Sequence, residues 1–132
     1  MAKILICEDD ELYRQIAEAA FAGGDHQLHV AHDGDQALRW LGTDSVDLVV
    51  TDLVMPGKDG LELIRILRKT HTGVPILAMT AGLASLKEPL LVAAAALGAD
   101  DVIEKPFRPA ALRARADTLL KKAAVLRDES AA

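Results

Sequence analysis

Residues 48–52 read Leu-Val-Val-Thr-Asp, three apolar side chains in succession and then a hydroxyl and a carboxylate. A strand with one wet face alternates apolar and polar residues, whereas a strand covered on both faces has no reason to. Ile4-Leu5-Ile6, followed by Cys7, is equally continuous. Both stretches therefore read as inner strands of a parallel sheet. Working outward from them, short apolar runs at 4–7, 28–31, 48–51, 75–80 and 102–103 alternate with stretches of helical spacing at 12–22, 36–41, 61–67, 86–97 and 108–127. Parallel neighbours need crossover connections, and the helical stretches supply them. The expected fold class is α/β: a doubly wound, five-stranded parallel sheet with five helices on its two faces. Gly23, Gly24, Gly42, Gly73 and Gly98 fall just past helical stretches, where a left-handed residue commonly ends a helix.

The chain has 132 residues, 51% of them hydrophobic, which suits one domain with one core. We read it as a single domain with a core over about 3–122 and a short C-terminal tail. The net charge of -5 is the wrong sign for a protein that grips nucleic acid through its phosphates. It is also unevenly spread: the segment from Arg108 onward carries +3 and the rest carries -8. A lone cysteine, Cys7 in an apolar run, fits a buried residue in a reducing compartment, so the cytoplasm is the expected location. The N-terminal stretch is too short and wrongly flanked for a signal peptide or a membrane span.

In such a sheet ligands bind beyond the carboxyl ends of the strands. The first strand runs into Glu8-Asp9-Asp10, the third into Asp52, the fourth ends at Thr80 and the fifth runs into Lys105-Pro106. Three carboxylates held about 4 Å apart repel by roughly 4 kcal/mol per pair at an effective dielectric near 20. A cation is therefore expected among them. Oxygen-only donors, without a neighbouring thiol or a pair of histidines, suit Mg²⁺, with Mn²⁺ an admissible substitute. Beside such an ion Asp52 can act as a carboxylate nucleophile, with Thr80 and Lys105 placed for the other phosphoryl oxygens. The chemistry expected is phosphoryl transfer onto the protein itself.

Each residue also has a plainer reading. Asp52 alone could cap a turn, Glu8 to Glu11 could be the acidic first turn of a helix, and Thr80 could merely end a strand. Asp10 and Glu11 are read as that helical turn. His29 and His32 lack a third metal ligand and are read as surface residues. Tyr13, Phe21 and Trp40 lie on helical stretches and are read as core or boundary. Arg113, Arg115, Lys121, Lys122 and Arg127 are read as a solvated helix face, with a partner surface second.

Together, the segments ILICEDDE, TDLVMPGKDG, the MTA at Thr80 and EKPF around Lys105 resemble the receiver domains of two-component response regulators over nearly the whole chain. The resemblance implies a flavodoxin-like sheet of order 2-1-3-4-5, an order the chemotaxis receivers exemplify. It implies that Asp52 accepts phosphate from the histidine of a sensor kinase or phosphotransfer protein. By matching position it makes Asp9 a direct metal ligand, Glu8 a ligand acting mainly through water, and Asp52 and the Val54 carbonyl the remaining protein ligands. It makes Thr80 the switch hydroxyl and Lys105 the phosphoryl-binding lysine. On this reading the chain is a switch that catalyses only its own phosphorylation and dephosphorylation, a single-domain regulator without an attached output module. Its partners would be the kinase or phosphotransfer protein and a downstream protein or second copy, with neither nucleic acid nor membrane.

The sequence departs from the family's pattern in three places. Val102 stands where an aromatic usually accompanies the switch, so coupling is expected through the backbone and the preceding helix. The stretch from Thr80 to Lys105 is about three residues longer than the family norm, and its Leu90, Leu91, Val92, four alanines and Leu97 are apolar around much of a helix. That helix is the expected output surface. Val54 and Gly82 hold positions that tune hydrolysis in the family, and neither can orient a water, so slow self-dephosphorylation is expected. Three rivals remain open: a small hydrolase or phosphatase using Asp52, a flavin- or nucleotide-binding domain of the same topology, and a receiver cut from a longer regulator. The phosphatase lacks the usual second aspartate at Val54, and no glycine-rich phosphate loop follows the first strand.

Overall fold

The computed structural model describes residues 2–55, 59–80 and 84–131, and within them the side chains of 84–88, 90, 130 and 131 lie outside the description. Ten elements alternate: β1 (Lys3–Cys7), α1 (Glu11–Phe21), β2 (Gln27–Ala31), α2 (Gly34–Leu41), β3 (Leu48–Asp52), α3 (Gly60–Thr70), β4 (Ile76–Thr80), α4 (Ala84–Leu97), β5 (Asp101–Glu104) and α5 (Pro109–Ala131). The strands form one parallel sheet in the order β2-β1-β3-β4-β5. This is the flavodoxin-like arrangement expected from the sequence, with strand ends within a residue or two of the apolar runs.

The unbroken apolar runs are explained by the two layers. Leu5, Cys7 and Val49 face one layer, where they pack with Ala37 and Leu41 of α2, Leu63, Ile64 and Leu67 of α3 and Ala94 of α4. Ile4, Ile6, Leu48, Val50, Leu77 and Met79 face the other, against Ala17, Ala20 and Phe21 of α1 and Leu112, Ala116 and Leu119 of α5. Alternate residues serve opposite layers, so every position must be apolar. Fully burying a side chain of this size contributes about 1.5–3 kcal/mol, which makes β1, β3 and β4 the rigid frame on which the strand ends sit.

Several local expectations are corrected. Of the glycines expected in the left-handed region, only Gly23 (φ +77°) and Gly98 (φ +117°) adopt it, while Gly42 is right-handed at φ -69°. On α1 the buried stripe is Ala17, Ala20 and Phe21, and Leu12 is 60% exposed. The last helix continues to Ala131, so the segment read as a tail is helical. Its basic face is partly neutralised from within the fold: Arg113 pairs with Asp117, and Arg115 with Asp101 at the start of β5. His29 is half-buried against the Trp40 ring at 4.3 Å rather than a free surface residue, while His32 is exposed. Among the described residues no helix is long and apolar enough to cross a membrane.

Candidate functional site

Hydrogen bonds that continue the ladder past the strands hold the polar residues at the carboxyl edge. The Glu8 amide donates to the Ala31 carbonyl at 3.0 Å, the Leu53 amide to Met79 at 3.0 Å, and the Lys105 amide to Thr80 at 2.7 Å. Each acidic or basic residue of interest is thus pinned by a backbone bond at or next to its own position. Asp10 caps α1, its side chain accepting from the amides of Leu12 and Tyr13, which is the plainer reading given for it above. Glu8 and Asp9 are left pointing their chemistry at the sheet edge.

There, carboxylate oxygens of Glu8, Asp9 and Asp52 lie within 4.8 Å of one another. Glu8 is fully buried, Asp52 nearly so, and Asp9 exposed. The Lys105 ammonium reaches between the two buried groups, donating to Glu8 Oε2 at 2.7 Å and to Asp52 Oδ2 at 3.0 Å. The second oxygen of Glu8 accepts from the Asp10 amide, and Oδ1 of Asp52 from the Val54 amide at 3.2 Å. Thr80 is buried at the end of β4, and its carbonyl holds the lysine's own amide. The structure brings together Glu8, Asp9, Asp52 and Lys105, and sets Thr80 in the same edge through that bond. The Val54 side chain is 62% exposed and its backbone follows Asp52 directly.

The electrostatics are those of an incomplete set. Burial, opposed by the lysine and aided by Asp52, pushes the Glu8 carboxyl up to about 6. Burial works against the charge on Lys105 as well, yet the summed pull of Glu8 and Asp52 wins and its pKa is raised. One ammonium thus faces three carboxylates, two of them buried. The donors are all hard oxygens of the kind that Mg²⁺ accepts while keeping several waters, so the residues fit such an ion. Cys7 is no competitor, because burial drives its thiol up to about 12 and its Sγ rests 3.5 Å from Met55 Sδ.

Three residues support the site in ways the sequence did not show. The Arg14 guanidinium donates to the carbonyls of Asp9 at 2.7 Å and Glu8 at 3.3 Å, clamping the acidic turn from the first turns of α1. Its partners are backbone carbonyls that precede the helix, so no side-chain spacing announces the contact. Gly60 packs so closely behind the nucleophile candidate that a Cβ there would lie 1.9 Å from the Asp52 carbonyl oxygen and 2.7 Å from Leu53 Cα. A backbone approach of this kind is what glycine permits. The third is Tyr13, whose ring centroid is 4.1 Å from Lys105 Nζ and 5.5 Å from that of Phe107.

Of the expected switch and output residues, Val102 is half-buried against the core layer of α2, α3 and α4. On α4, Leu91 is half-buried, Ala94 fully buried and Val92 68% exposed. The Leu90 side chain, Gly82 and Pro56 lie outside the described residues.

Comparison with known proteins gives a consistent result. A family profile described as the response regulator receiver domain matches residues 4–117. Response regulator MprA of Mycobacterium ulcerans is 38% identical over 129 residues, spanning 98% of this chain and 54% of that protein. MprA of Mycobacterium tuberculosis is 38% identical over 120 residues, spanning 91% and 51%. The chain thus spans about half the length of these curated relatives. Among solved structures, the Francisella response regulator 1452 receiver domain superposes with a TM-score of 0.78 at 32% identity, covering 92% of this chain and 98% of that one. NtrX from Brucella abortus gives 0.88 at 29%, covering 98% and 29%. The Vibrio cholerae chemotaxis protein CheY4 gives 0.79 at 26%, covering 90% and 98%.

Proposed function

The chain belongs to the response regulator receiver family, and from that premise we propose that Asp52 accepts a phosphoryl group from the histidine of a sensor kinase or phosphotransfer protein. The observation that carries this is the Lys105 ammonium shared by buried Glu8 and Asp52, with Asp9 completing an acidic set short of positive charge. An Asp52 carboxylate oxygen attacks phosphorus in line. The bond from phosphorus to the donor's histidine nitrogen breaks, the nitrogen keeps the electron pair and takes a proton from solvent, and an acyl phosphate remains. Mg²⁺, held by Asp9, Asp52, the Val54 carbonyl and, through water, Glu8, would neutralise charge building on the transferring group. Lys105 is within a short side-chain swing of the incoming phosphoryl oxygens, and the Thr80 hydroxyl takes another.

The phosphorylated state switches a protein-binding surface centred on α4, whose exposed Val92 supports an apolar contact. A downstream protein or a second copy would occupy it. Because Val102 carries no ring to swing, the change reaches α4 through the backbone. The Val54 side chain offers no hydrogen bond to an attacking water, which supports slow loss of the phosphoryl group. A cytoplasmic location agrees with the buried, protonated Cys7.

The test uses Mg²⁺ and a small acyl-phosphate donor, read by intact mass. One added phosphoryl group is expected on the protein and none on Asp52→Asn. Failure of the wild type to gain mass overturns the proposal, and sustained turnover of a free phosphoester would make the chain a phosphatase instead.

A further inference from the structure

The Lys105 ammonium has three N–H bonds to direct. Two go to carboxylates, Glu8 Oε2 at 2.7 Å and Asp52 Oδ2 at 3.0 Å. Near the third side lies the face of Tyr13, with its centroid 4.1 Å from Nζ. That is well inside the roughly 6 Å within which a ring quadrupole attracts a cation. The lysine head is buried, so water does not compete strongly for this contact. The ring is itself fixed. Its backbone amide belongs to the Asp10 cap of α1, and the ring packs tilted at 56° against that of Phe107, two residues beyond the lysine, with centroids 5.5 Å apart. Tyr13 therefore ties the start of α1 to both ends of the Lys105-Pro106-Phe107 turn.

We infer that Tyr13 is a positioning residue for the phosphoryl chemistry: its ring face holds the Lys105 ammonium over Asp52, and the ring's surroundings change when Asp52 is phosphorylated. The inference rests on the proposed acceptor role of Asp52. Without the ring, two carboxylates alone place the ammonium, and it is free to settle on Glu8, the partner with the shorter contact. Phosphoryl oxygens arriving on Asp52 draw the ammonium outward, and the ring in contact with it senses the move. An aromatic signal of the kind that Val102 cannot give would then arise at α1 and the β5–α5 turn instead.

A small acyl-phosphate donor removes any effect of Tyr13 on kinase docking. Tyr13→Leu is expected to slow phosphorylation about five-fold, and Tyr13→Phe to keep the wild-type rate within about two-fold, since the attraction belongs to the ring and not its hydroxyl. Equal rates in the leucine variant and the wild type overturn the inference, as does an equal loss in both variants. A second readout requires no chemistry. The Lys105 ε-methylene protons lie near the ring face and should resonate upfield in wild type and Tyr13→Phe, and return to ordinary positions in Tyr13→Leu. Tyr13 is the only tyrosine in the chain, so a single fluorotyrosine resonance reports the ring. It should shift on phosphorylation, and an unmoved resonance in protein shown by mass to carry the group overturns the sensing role. If wild type gains no mass at all, the acceptor reading fails, while the lysine shifts still decide whether the ring positions the ammonium.

Discussion

The two edges of the sheet handle charge in opposite ways. At the amino edge, charges are matched singly and tied to backbone. Arg68 donates to the carbonyls of Gly98 and Val74 and pairs with Asp100, which in turn accepts from the Ile76 amide at 2.7 Å. Lys3 is treated likewise, its ammonium on Asp44 and its amide on Asp47. At the carboxyl edge one ammonium serves two buried carboxylates and a third stands exposed nearby. The first arrangement is complete and needs nothing further. The second is stable only while its excess charge is held down by a lysine, by protons or by an ion, which is the physical content of calling it a site.

Removing the lysine breaks the contrast most severely. Lys105→Met leaves Glu8 fully buried beside Asp52 with no cation, and loss of one partner from a buried pair costs about 3–5 kcal/mol. Urea unfolding at neutral pH should show that loss, and millimolar Mg²⁺ should recover part of it. A variant as stable as wild type would mean that the carboxyl edge is not charge-strained.

Acid should have a smaller effect, in an unusual direction. The folded Glu8 carboxyl titrates at about 6 against an ordinary 4.5, so the folded chain holds that proton more tightly than the unfolded chain. Its stabilising contribution is present in full below pH 4.5 and is lost as pH rises through 6, amounting to about 2 kcal/mol. Stability measured from pH 4.5 to 7 should carry this falling component, and Glu8→Gln should remove it. Added Mg²⁺ should stabilise wild type more at pH 7 than at pH 5.

The amino edge provides the smallest effect and the control. Asp100→Ala deprives Arg68 and the Ile76 amide of an acceptor, and because the pair is partly exposed the cost is about 1 kcal/mol. Mg²⁺ should not offset it, and phosphorylation of Asp52 by a small donor should proceed at the wild-type rate. Rescue by Mg²⁺ here would show that the ion acts generally and not at the acidic set.

Much of this was legible in the chain because it depends on near-sequence rules. Continuous apolar runs announce strands covered on both faces, and the residues at and after their ends announce the edge: Glu8, Asp9, Asp52, Thr80 and Lys105. What the runs could not convey was aim. Leu12 and Ala20 both fit helical spacing, but Ala20 is buried beside the apolar face of α5 and Leu12 is exposed. Gly42 and Gly98 both follow helices, yet only Gly98, against Arg68, takes the positive φ.

By itself, then, the sequence determined the sheet, its parallel sense and the set of groups delivered to one edge, since each of these follows from side-chain period and from what ends a strand. Only the tertiary structure decided how those groups pair. Lys105 is 97 residues from Glu8 and 53 from Asp52, and no local rule spans such distances. The choice of Glu8 as its nearest partner, the raised Glu8 carboxyl and the ring of Tyr13 beside the ammonium all arise from burial and close approach, which exist only once the strands are side by side.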